Sequence, residues 1–325
     1  MGCRQRRGRV RCLVTGAAGF IGSRLSARLV ADGHSVVGLD DLSTGSQDNL
    51  VDVSEADFVV GDLRDEDTVR RVAQGCEVIY HLGAVRSVPL SIAYPALTTD
   101  VNIRGTLNVL IAAHAEEARV VFASSSSVYG QQERYPLRET MTPRPRSPYA
   151  ASKLAGEAYC ETWWRSYSVP TVALRYFNVY GPRQDPISEY AVVVPKFILS
   201  CLSGSAPVIH GDGEQARDFT YVEDAVEGSV LAGHASQDAW GRVFNIGGGR
   251  TPMSVNRLLE KIADLTETAP EPLHEPPREG DVRLTHADLS LAESALGYRP
   301  SVGIDEGLEQ SVTWCAKHLA VGARA

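Results

Sequence analysis

Two side chains in one short segment are spaced so that they could share in proton transfer. Tyr149 and Lys153 belong to the sequence SPYAASK at positions 147–153, and residues four apart lie on one face of a helix. A phenol has a pKa of about 10 and is a poor base at neutral pH, but a nearby positive charge lowers that pKa. The pair is therefore a candidate acid–base couple. The alternative is a surface tyrosine and lysine that share a helix face without any chemical role.

A run of serines offers hydroxyl groups to the same chemistry. Ser125 and Ser126 lie within ASSSSVYG at positions 123–130, where a predicted strand ends. In a parallel α/β sheet, ligands bind beyond the carboxyl ends of the strands. These hydroxyls could therefore bind a substrate hydroxyl or relay its proton. A nucleophilic serine hydrolase is disfavoured, because no G-x-S-x-G sequence surrounds these serines.

Three glycines join the first predicted strand to the first predicted helix. Gly16, Gly19 and Gly22 stand in GAAGFIG at positions 16–22, together with Phe20 and Ile21. This spacing lets the backbone turn tightly, approach a pyrophosphate and pack the helix against the strand, while the helix N-terminus attracts the phosphates. With a strand before it and a helix after it, the motif predicts a dinucleotide-binding site.

Asp40, at the end of the second predicted strand, indicates which dinucleotide would bind. A carboxylate at this place accepts hydrogen bonds from the adenosine ribose and repels a 2′-phosphate, so we expect NAD rather than NADP. The alternative is an ordinary turn residue. Further cofactor contacts are expected after the other strands and around the acid–base couple, at Ser43, Thr44, Gly45, Asp62, Leu63, Leu82, Gly83, Arg86, Asn102, Tyr149, Lys153 and Tyr176.

The elements that must position these residues alternate along the first half of the chain. The residue pattern predicts strands at 10–15, 35–40, 58–61, 78–82, 119–124 and 171–177, and helices at 20–32, 65–74, 94–116 and 148–167. This alternation predicts an α/β fold with a Rossmann-type, doubly wound parallel sheet. We expect residues 10–180 to form the NAD-binding domain, with segments of about 220–250 returning to it.

Prolines interrupt the alternation after residue 180. Helices are still predicted at 193–203, 222–235 and 254–266. Residues 181–325 are therefore expected to form mainly a smaller C-terminal lobe that binds the substrate.

The composition is that of an ordinary globular protein. The chain has 325 residues, 43% of them hydrophobic and 22% charged, with a net charge of −8, which gives no reason to expect a nucleic-acid partner. An arginine-rich start is interpreted as a solvated tail, and no apolar run is long enough to span a membrane. We expect a cytoplasmic protein. The six scattered cysteines show neither zinc-ligand spacing nor a disulfide framework, so no metal site is predicted.

Taken together, these motifs resemble those of the extended short-chain dehydrogenase/reductases, specifically the nucleotide-sugar 4-epimerases. The resemblance also includes RYFNVYG at 175–181, GDGE at 211–214, RDF at 217–219 and REGDVR at 278–283. It implies that Tyr149, as a phenolate, takes the proton of the sugar 4-hydroxyl while Ser125 binds that oxygen and hydride passes from C4 to NAD. The 4-keto sugar would then rotate and be reduced on its other face. Lys153 would hold the nicotinamide ribose and keep the phenol acidic.

The resemblance also implies contacts to the nucleotide sugar. Asn178, Arg217, Arg278 and Asp281 match residues that hold the diphosphate and the nucleoside, and paired arginines suit a pyrophosphate. Their alternative role is surface ion pairing. The remaining expected substrate contacts are Ser87, Ser125, Ser126, Tyr149, Val193, Lys196 and Thr285.

Two positions bear on the reaction and the sugar. Related 4,6-dehydratases carry Asp-Glu directly after the serine that matches Ser125, whereas this chain has Ser126-Ser127, which disfavours dehydration. Thr285 matches a position whose bulk limits the space beside C2 of the sugar. A small residue there favours UDP-GlcNAc and UDP-GalNAc, with UDP-Glc and UDP-Gal as further candidate substrates. Thr285 could instead be an ordinary helix or strand cap.

The sequence also allows other interpretations of the function. A UDP-glucuronate 4-epimerase or another nucleotide-sugar enzyme is the nearer alternative, although the resemblance leads us to expect threonine in glucuronate epimerases where this chain has Asn178. A non-catalytic NAD sensor or scaffold is more remote. The helices at 94–116 and 148–167 resemble the pair that forms a four-helix homodimer interface in this family, and their apolar faces could also be ordinary core.

Overall fold

The computed structural model describes residues 8–53, 56–185, 192–277 and 281–322. Within these ranges the strands are β1 (Arg11–Thr15), β2 (Ser35–Asp40), β3 (Asp57–Val60), β4 (Val78–His81), β5 (Arg119–Ser125), β6 (Thr171–Tyr176), β7 (Val179–Tyr180), β8 (Val208–His210), β9 (Ala216–Arg217), β10 (Thr220–Tyr221), β11 (Arg242–Ile246), β12 (Met253–Ser254) and β13 (Leu273–Glu275).

The helices in the same ranges are α1 (Phe20–Ala31), α2 (Glu66–Ala73), α3 (Val88–Ala93), α4 (Pro95–Thr99), α5 (Gly105–Ala115), α6 (Pro148–Tyr167), α7 (Val193–Ser203), α8 (Val222–Gly233), α9 (Val255–Thr266), α10 (Ser290–Leu296) and α11 (Ile304–Gly322). Short 3₁₀ helices lie at Gln47–Val53, Ser126–Tyr129 and Gln237–Ala239, and a π-helical turn lies at Asp100–Arg104.

The central sheet of the described residues has seven parallel strands in the order β11-β6-β5-β4-β1-β2-β3. Its middle strands are almost wholly buried, as parallel strands covered on both faces must be. The predicted Rossmann-type sheet is therefore confirmed. The order reverses between β1 and β4, so a crevice opens beyond the carboxyl ends of these two neighbours.

Alternating side chains of the strands belong to two separate hydrophobic cores, one on each face of the sheet. Val14 of β1 belongs to the core that includes α1 and α8. Leu13, its neighbour, points to the opposite face and belongs to the core that includes α2, α5 and α6, as the two-residue repeat of a strand requires. A third core joins α7, α9 and α11, and the division of the chain into two domains stays a prediction.

The helix predicted at 94–116 is divided in the structure. α4 runs into the π-helical turn, which runs into α5. The hydroxyl of Thr106 donates to the carbonyl oxygen of Asn102 over 2.5 Å, a local bond that stabilises the widened turn. The spacing of apolar residues does not reveal a π-helical turn, which contains one residue more than an α-helical turn, so the sequence predicted one regular helix. Such π turns recur at functional sites.

None of the helices in the described ranges is both long and apolar enough to cross a lipid bilayer.

Candidate active site

The glycine loop between β1 and α1 leaves the helix N-terminus facing a cleft. Gly16 has φ +70°, a conformation that favours glycine, and a Cβ on Gly22 would lie only 2.0 Å from the carbonyl oxygen of Gly16. No side chain caps α1 at Gly19. The N–H groups at the start of α1 and the helix dipole are therefore available to a pyrophosphate.

A matching close approach is made by the loop after β4. A Cβ on Gly16 would lie 2.8 Å from the backbone nitrogen of Gly83, and one on Gly83 would lie 2.8 Å from Leu63 Cδ1. Gly16 and Gly83 therefore have no space for a side chain where the loops after β1 and β4 meet. The exposed main chain there would let a dinucleotide bind close to the backbone.

Asp40 lies at the end of β2, where its side chain joins the glycine loop. Its Oδ2 accepts from the Ala18 N–H over 3.0 Å, and its Oδ1 accepts from the Leu42 N–H over 2.8 Å. Burial raises the pKa of Asp40, while these backbone hydrogen bonds lower it. Each carboxylate oxygen keeps a second lone pair, so Asp40 is able to accept further hydrogen bonds from a ribose.

Asp62 follows β3 and is held by an ion pair that the sequence analysis did not include. Arg64 Nη2 lies 2.5 Å from Asp62 Oδ2, and this contact lowers the pKa of Asp62. Both residues line the cleft. The carboxylate therefore stays ionised beside the expected adenine position.

A buried polar chain supports the loop after β4. The Gly83 N–H donates to Thr15 Oγ1 over 3.1 Å, Thr15 Oγ1 lies 2.7 Å from His81 Nδ1, and His81 Nε2 lies 3.0 Å from Thr106 Oγ1. Burial lowers the pKa of His81 to about 3, so the ring is neutral. Because the Thr106 hydroxyl donates to Asn102, His81 must donate from Nε2 and accept from Thr15 at Nδ1.

Asn102 was expected to contact the cofactor, but its side chain lies behind the cleft wall. The amide accepts from the Val85 N–H over 2.8 Å and donates to the Val85 carbonyl over 3.0 Å and to the Ser152 hydroxyl over 2.9 Å. Asn102 thereby ties the loop after β4 to helix α6. Its position in the structure indicates an indirect role, through the loop that it holds.

Tyr149 and Ser125 meet across the end of β5. Ser147 caps α6 through Ala150 N, which places Tyr149 in the first turn, and Tyr149 and Ser125 line the same cleft. Burial raises the pKa of Tyr149, while the Ser125 hydroxyl and the charge of Arg86 lower it. Ser125 thus lies close enough to the phenol to influence its pKa, and the shared role of the two hydroxyls stays a prediction.

Lys153 lies one turn further along α6 and is almost fully buried. Its Nζ donates to the carbonyl oxygen of Ala123 over 2.7 Å and lies 6.0 Å from the centre of the Tyr149 ring. Burial lowers the pKa of Lys153 to about 8. The ammonium is thus charged at neutral pH and lies close to the phenol.

The substrate half of the cleft contains an ion pair and a hydroxyl bridge. Arg217 Nη2 lies 2.5 Å from Asp281 Oδ1. The Thr285 hydroxyl accepts from Asn178 Nδ2 over 2.9 Å and from the Asp218 N–H over 3.1 Å. Arg217 and Asp281 supply groups of the charge that a diphosphate and ribose hydroxyls require.

Nearly all of the predicted cofactor, catalytic and substrate residues line one cleft with a volume of about 940 Å³. Of the expected contacts that the structure describes, those absent from its walls are Gly45, which packs on Ala18, and Asn102. Arg278 lies outside the described residues. The lining residues that sequence reasoning missed include Asp41, Asn49, Arg64, Val85, Arg146 and Arg183. They belong to loops, or in the case of Asn49 to a short 3₁₀ helix, without a recognisable motif, and only their nearness to the strand ends could have indicated them.

The sheet, the glycine loop and the acid–base couple define a Rossmann-type dinucleotide-binding enzyme. The chain matches the NAD dependent epimerase/dehydratase family over residues 12–247. It is 42% identical over 309 residues to a UDP-glucose 4-epimerase of Mycolicibacterium smegmatis, covering 93% of this chain and 97% of that protein.

Two solved structures are similar over almost their whole length. A UDP-N-acetylglucosamine 4-epimerase from Methanobrevibacter ruminantium, in complex with UDP-N-acetylmuramic acid, has a TM-score of 0.91 at 37% identity and covers 96% of this chain and 100% of that one. A UDP-glucuronic acid 4-epimerase from Bacillus cereus, with UDP-glucuronic acid and NAD, has a TM-score of 0.88 at 32% identity and covers 95% and 99%.

The chain belongs to the NAD-dependent epimerase/dehydratase family. It is an NAD-dependent enzyme of the same kind as these relatives, an isomerase. The resemblance inferred from the sequence and the choice of NAD as cofactor are both confirmed.

Proposed function

We propose that this UDP-sugar 4-epimerase interconverts UDP-GlcNAc and UDP-GalNAc, with UDP-Glc and UDP-Gal as further substrates. The observation that carries the proposal is Thr285, a small side chain on the cleft wall that is 7% exposed. Its hydroxyl is held by Asn178 and the Asp218 backbone. A short residue fixed in this way leaves room beside C2 of the sugar for an N-acetyl group.

We expect Tyr149 and Ser125, which line the same cleft, to carry out the proton transfer. With the Ser125 hydroxyl as partner, the Tyr149 phenolate would accept the proton of the sugar 4-hydroxyl and return it after the 4-keto sugar has turned over. NAD, when bound, accepts and returns the hydride at C4. Lys153 would bind the nicotinamide ribose, and its positive charge favours the phenolate.

The bare-backbone loops at Gly16 and Gly83, with Asp40 beside them, would hold the dinucleotide. Arg217 would bind the diphosphate and Asp281 the ribose of the nucleotide sugar, so their mutual ion pair would open when substrate binds. Ser87, Val193 and Lys196 line the same cleft and support the remaining substrate contacts.

Two guanidinium groups favour a UDP-glucuronate as the second candidate substrate. Arg86 and Arg146 line the cleft, and neither has a carboxylate partner among the described residues. The positive charge of Arg86 lowers the pKa of Tyr149, so Arg86 lies near the expected sugar position. A C6 carboxylate of the sugar would pair with Arg86 there. A 4,6-dehydratase stays disfavoured, because Ser126 and Ser127 cannot act as an acid and a base at neutral pH.

The substrate is tested by incubating the protein separately with UDP-GlcNAc, UDP-Glc and UDP-GlcA and resolving the products. We expect a 4-epimer from UDP-GlcNAc at the highest kcat/KM. An epimer from UDP-GlcA alone would replace the proposal with the second candidate. A 4-keto-6-deoxy product would indicate a dehydratase, and no product from any substrate would refute the epimerase.

Thr285 variants separate bulk from hydrogen bonding. We expect Thr285→Tyr to lose UDP-GlcNAc turnover while keeping part of the UDP-Glc turnover. Thr285→Val has nearly the same size but cannot accept from Asn178, so its effect measures the hydrogen bonds and should be similar on both sugars. Equal losses on both sugars in Thr285→Tyr would contradict the role of Thr285 in sugar choice.

A homodimer through helices α3 to α6 is also proposed. Large apolar side chains on these helices and their connections are exposed, at Ile92 (48%), Tyr94 (59%), Leu97 (39%), Ile111 (37%) and Tyr167 (50%). A second copy of the chain would cover such a face by packing helix on helix. Sedimentation should give a dimer, and Ile111→Arg, at a position outside the cleft lining, should give a monomer. A wild-type monomer at micromolar concentration would contradict the dimer. A cytoplasmic location stays a prediction.

A further inference from the structure

A buried ion pair lies directly behind the proposed catalytic residues. Glu157 of α6 is 5% exposed and Arg175 of β6 is 3% exposed. Arg175 donates from Nε to Glu157 Oε1 over 2.9 Å and from Nη2 to Oε2 over 2.7 Å. Arg175 Nη1 is buried without a hydrogen-bond partner among the described residues. Two charges in such a place are often no more stable than a well-packed apolar pair, so stability alone does not account for them.

One face of α6 connects this pair to the reactive groups. Tyr149, Lys153 and Glu157 follow one another at four-residue intervals and therefore form a stripe along the helix. The stripe faces the last three residues of β5. Lys153 bonds the Ala123 carbonyl over 2.7 Å, Glu157 accepts from the Ser124 hydroxyl, and Ser125 lowers the pKa of the Tyr149 phenol. The stripe thus fixes the strand end from which Ser125 projects.

The helix lies close enough to the strand for small shifts to matter. A Cβ on Gly156 would lie 2.3 Å from Cζ of Phe122, so the helix backbone rests on that ring. Lys153 Nζ lies 5.0 Å from the centre of the same ring. Any displacement of Ser124 would therefore also move its two neighbours in β5, which are Ser125 and the residue whose carbonyl Lys153 binds.

The charged groups around Glu157 can be named from every element packed against it. Arg175 faces it from β6, and Lys153 and Cys160 lie on its own helix. The guanidinium of Arg175 lies 4.5 Å from the centre of the Tyr129 ring, and its charge lowers the pKa of Glu139. Burial raises the pKa of Tyr129 to about 12 and also raises that of Cys160. Both are neutral at pH 7, so the charges nearest Glu157 are those of Lys153 and Arg175, while Arg86 acts at the Tyr149 end of the stripe.

We propose that Glu157, held by Arg175, is a positioning residue that fixes the end of β5 through Ser124, so that Ser125 is held in place for Tyr149. Burial lowers the pKa of Lys153, and the negative charge of Glu157 opposes that effect. The inference rests on the proposed roles of Tyr149, Lys153 and Ser125.

The sharpest test replaces both charges with apolar side chains of similar size, as Glu157→Leu with Arg175→Met. Such exchanges commonly keep a protein folded, so we expect NAD content and the KM for the UDP-sugar to stay near the wild-type values. We expect kcat to fall by about tenfold or more, because misplacement of a reacting group is costly. The fall of kcat at alkaline pH should also begin at a lower pH, since Lys153 loses its anionic neighbour.

The single variant Glu157→Gln removes the charge but can still accept from Ser124. It should shift the alkaline limb and lower kcat less than the double variant does. Glu161→Gln, which disrupts only the exposed i,i+4 pair with Arg165, is the matched control and should behave as the wild type.

A folded double variant with wild-type kcat and pH profile would overturn the inference. If the double variant does not fold, the same result in Glu157→Gln overturns it. Tyr149→Phe separates this failure from a failure of the proposed function. An inactive Tyr149→Phe beside normal Glu157 variants refutes only the positioning role, whereas an active Tyr149→Phe refutes the proposed catalytic site itself.

Discussion

Replacing Gly22 with alanine should weaken NAD binding strongly. The added methyl group would lie 2.0 Å from the Gly16 carbonyl oxygen and 2.8 Å from its carbonyl carbon. Unbonded heavy atoms pack at about 3.5 Å, so the loop and the helix must separate by roughly 1.5 Å. Overpacking of this kind costs about 1–3 kcal/mol. If that strain is released at the pyrophosphate site, the Kd for NAD rises roughly fivefold to 150-fold.

The measurement is the NAD content of the purified protein, followed by calorimetric titration of protein freed of nucleotide. Gly303→Ala is the control, because a methyl group there meets no heavy atom within 4 Å. A melting curve shows whether Gly22→Ala is folded. If the folded variant binds NAD with the wild-type Kd, the glycine loop does not approach the cofactor in the way argued from its backbone.

Three further predictions concern protonation and substrate binding. Burial lowers the pKa of Lys153 to about 8, so its ammonium is present below that pH and lost above it. We therefore expect kcat, measured from pH 6 to 10, to decline on the alkaline side. The variant Lys153→Arg should be slower overall but should not show that decline, because arginine keeps its charge. Arg217→Ala should raise the KM for the UDP-sugar roughly 10- to 150-fold, as expected for charged hydrogen bonds, and leave NAD affinity unchanged. Arg283→Ala breaks only an exposed pair with Asp212 and should change the same KM by less than about twofold.

The central sheet and the glycine loop could be predicted because their causes are local. A buried parallel strand needs a continuous apolar run, and the loop needs residues without side chains at fixed spacing. The strands predicted at 35–40 and 119–124 consequently agree with β2 and β5 to within one residue. Ser125 was predicted at a strand end and Tyr149 in the first turn of a helix, and both line the same cleft in the structure.

The parts that could not be predicted depend on packing between distant segments. The π turn before α5 contains Asn102, whose bonds to Val85 and Ser152 join segments that no local pattern connects. Glu157 and Arg175 each look like ordinary charged residues of a helix and a strand. Their pairing appears only when α6 lies on β5 and β6.

The placement of β11 has a consequence for the biosynthesis of the chain. Residues Arg242–Ile246 cover the free edge of β6, and Asn245 bonds Tyr129 and the carbonyls of Leu137 and Asp288. During translation the other strands of the sheet emerge first, so β6 stays an open edge able to pair with foreign strands. A nascent chain that ends before residue 242 should therefore aggregate, even though every residue proposed for NAD contact and proton transfer has already been made.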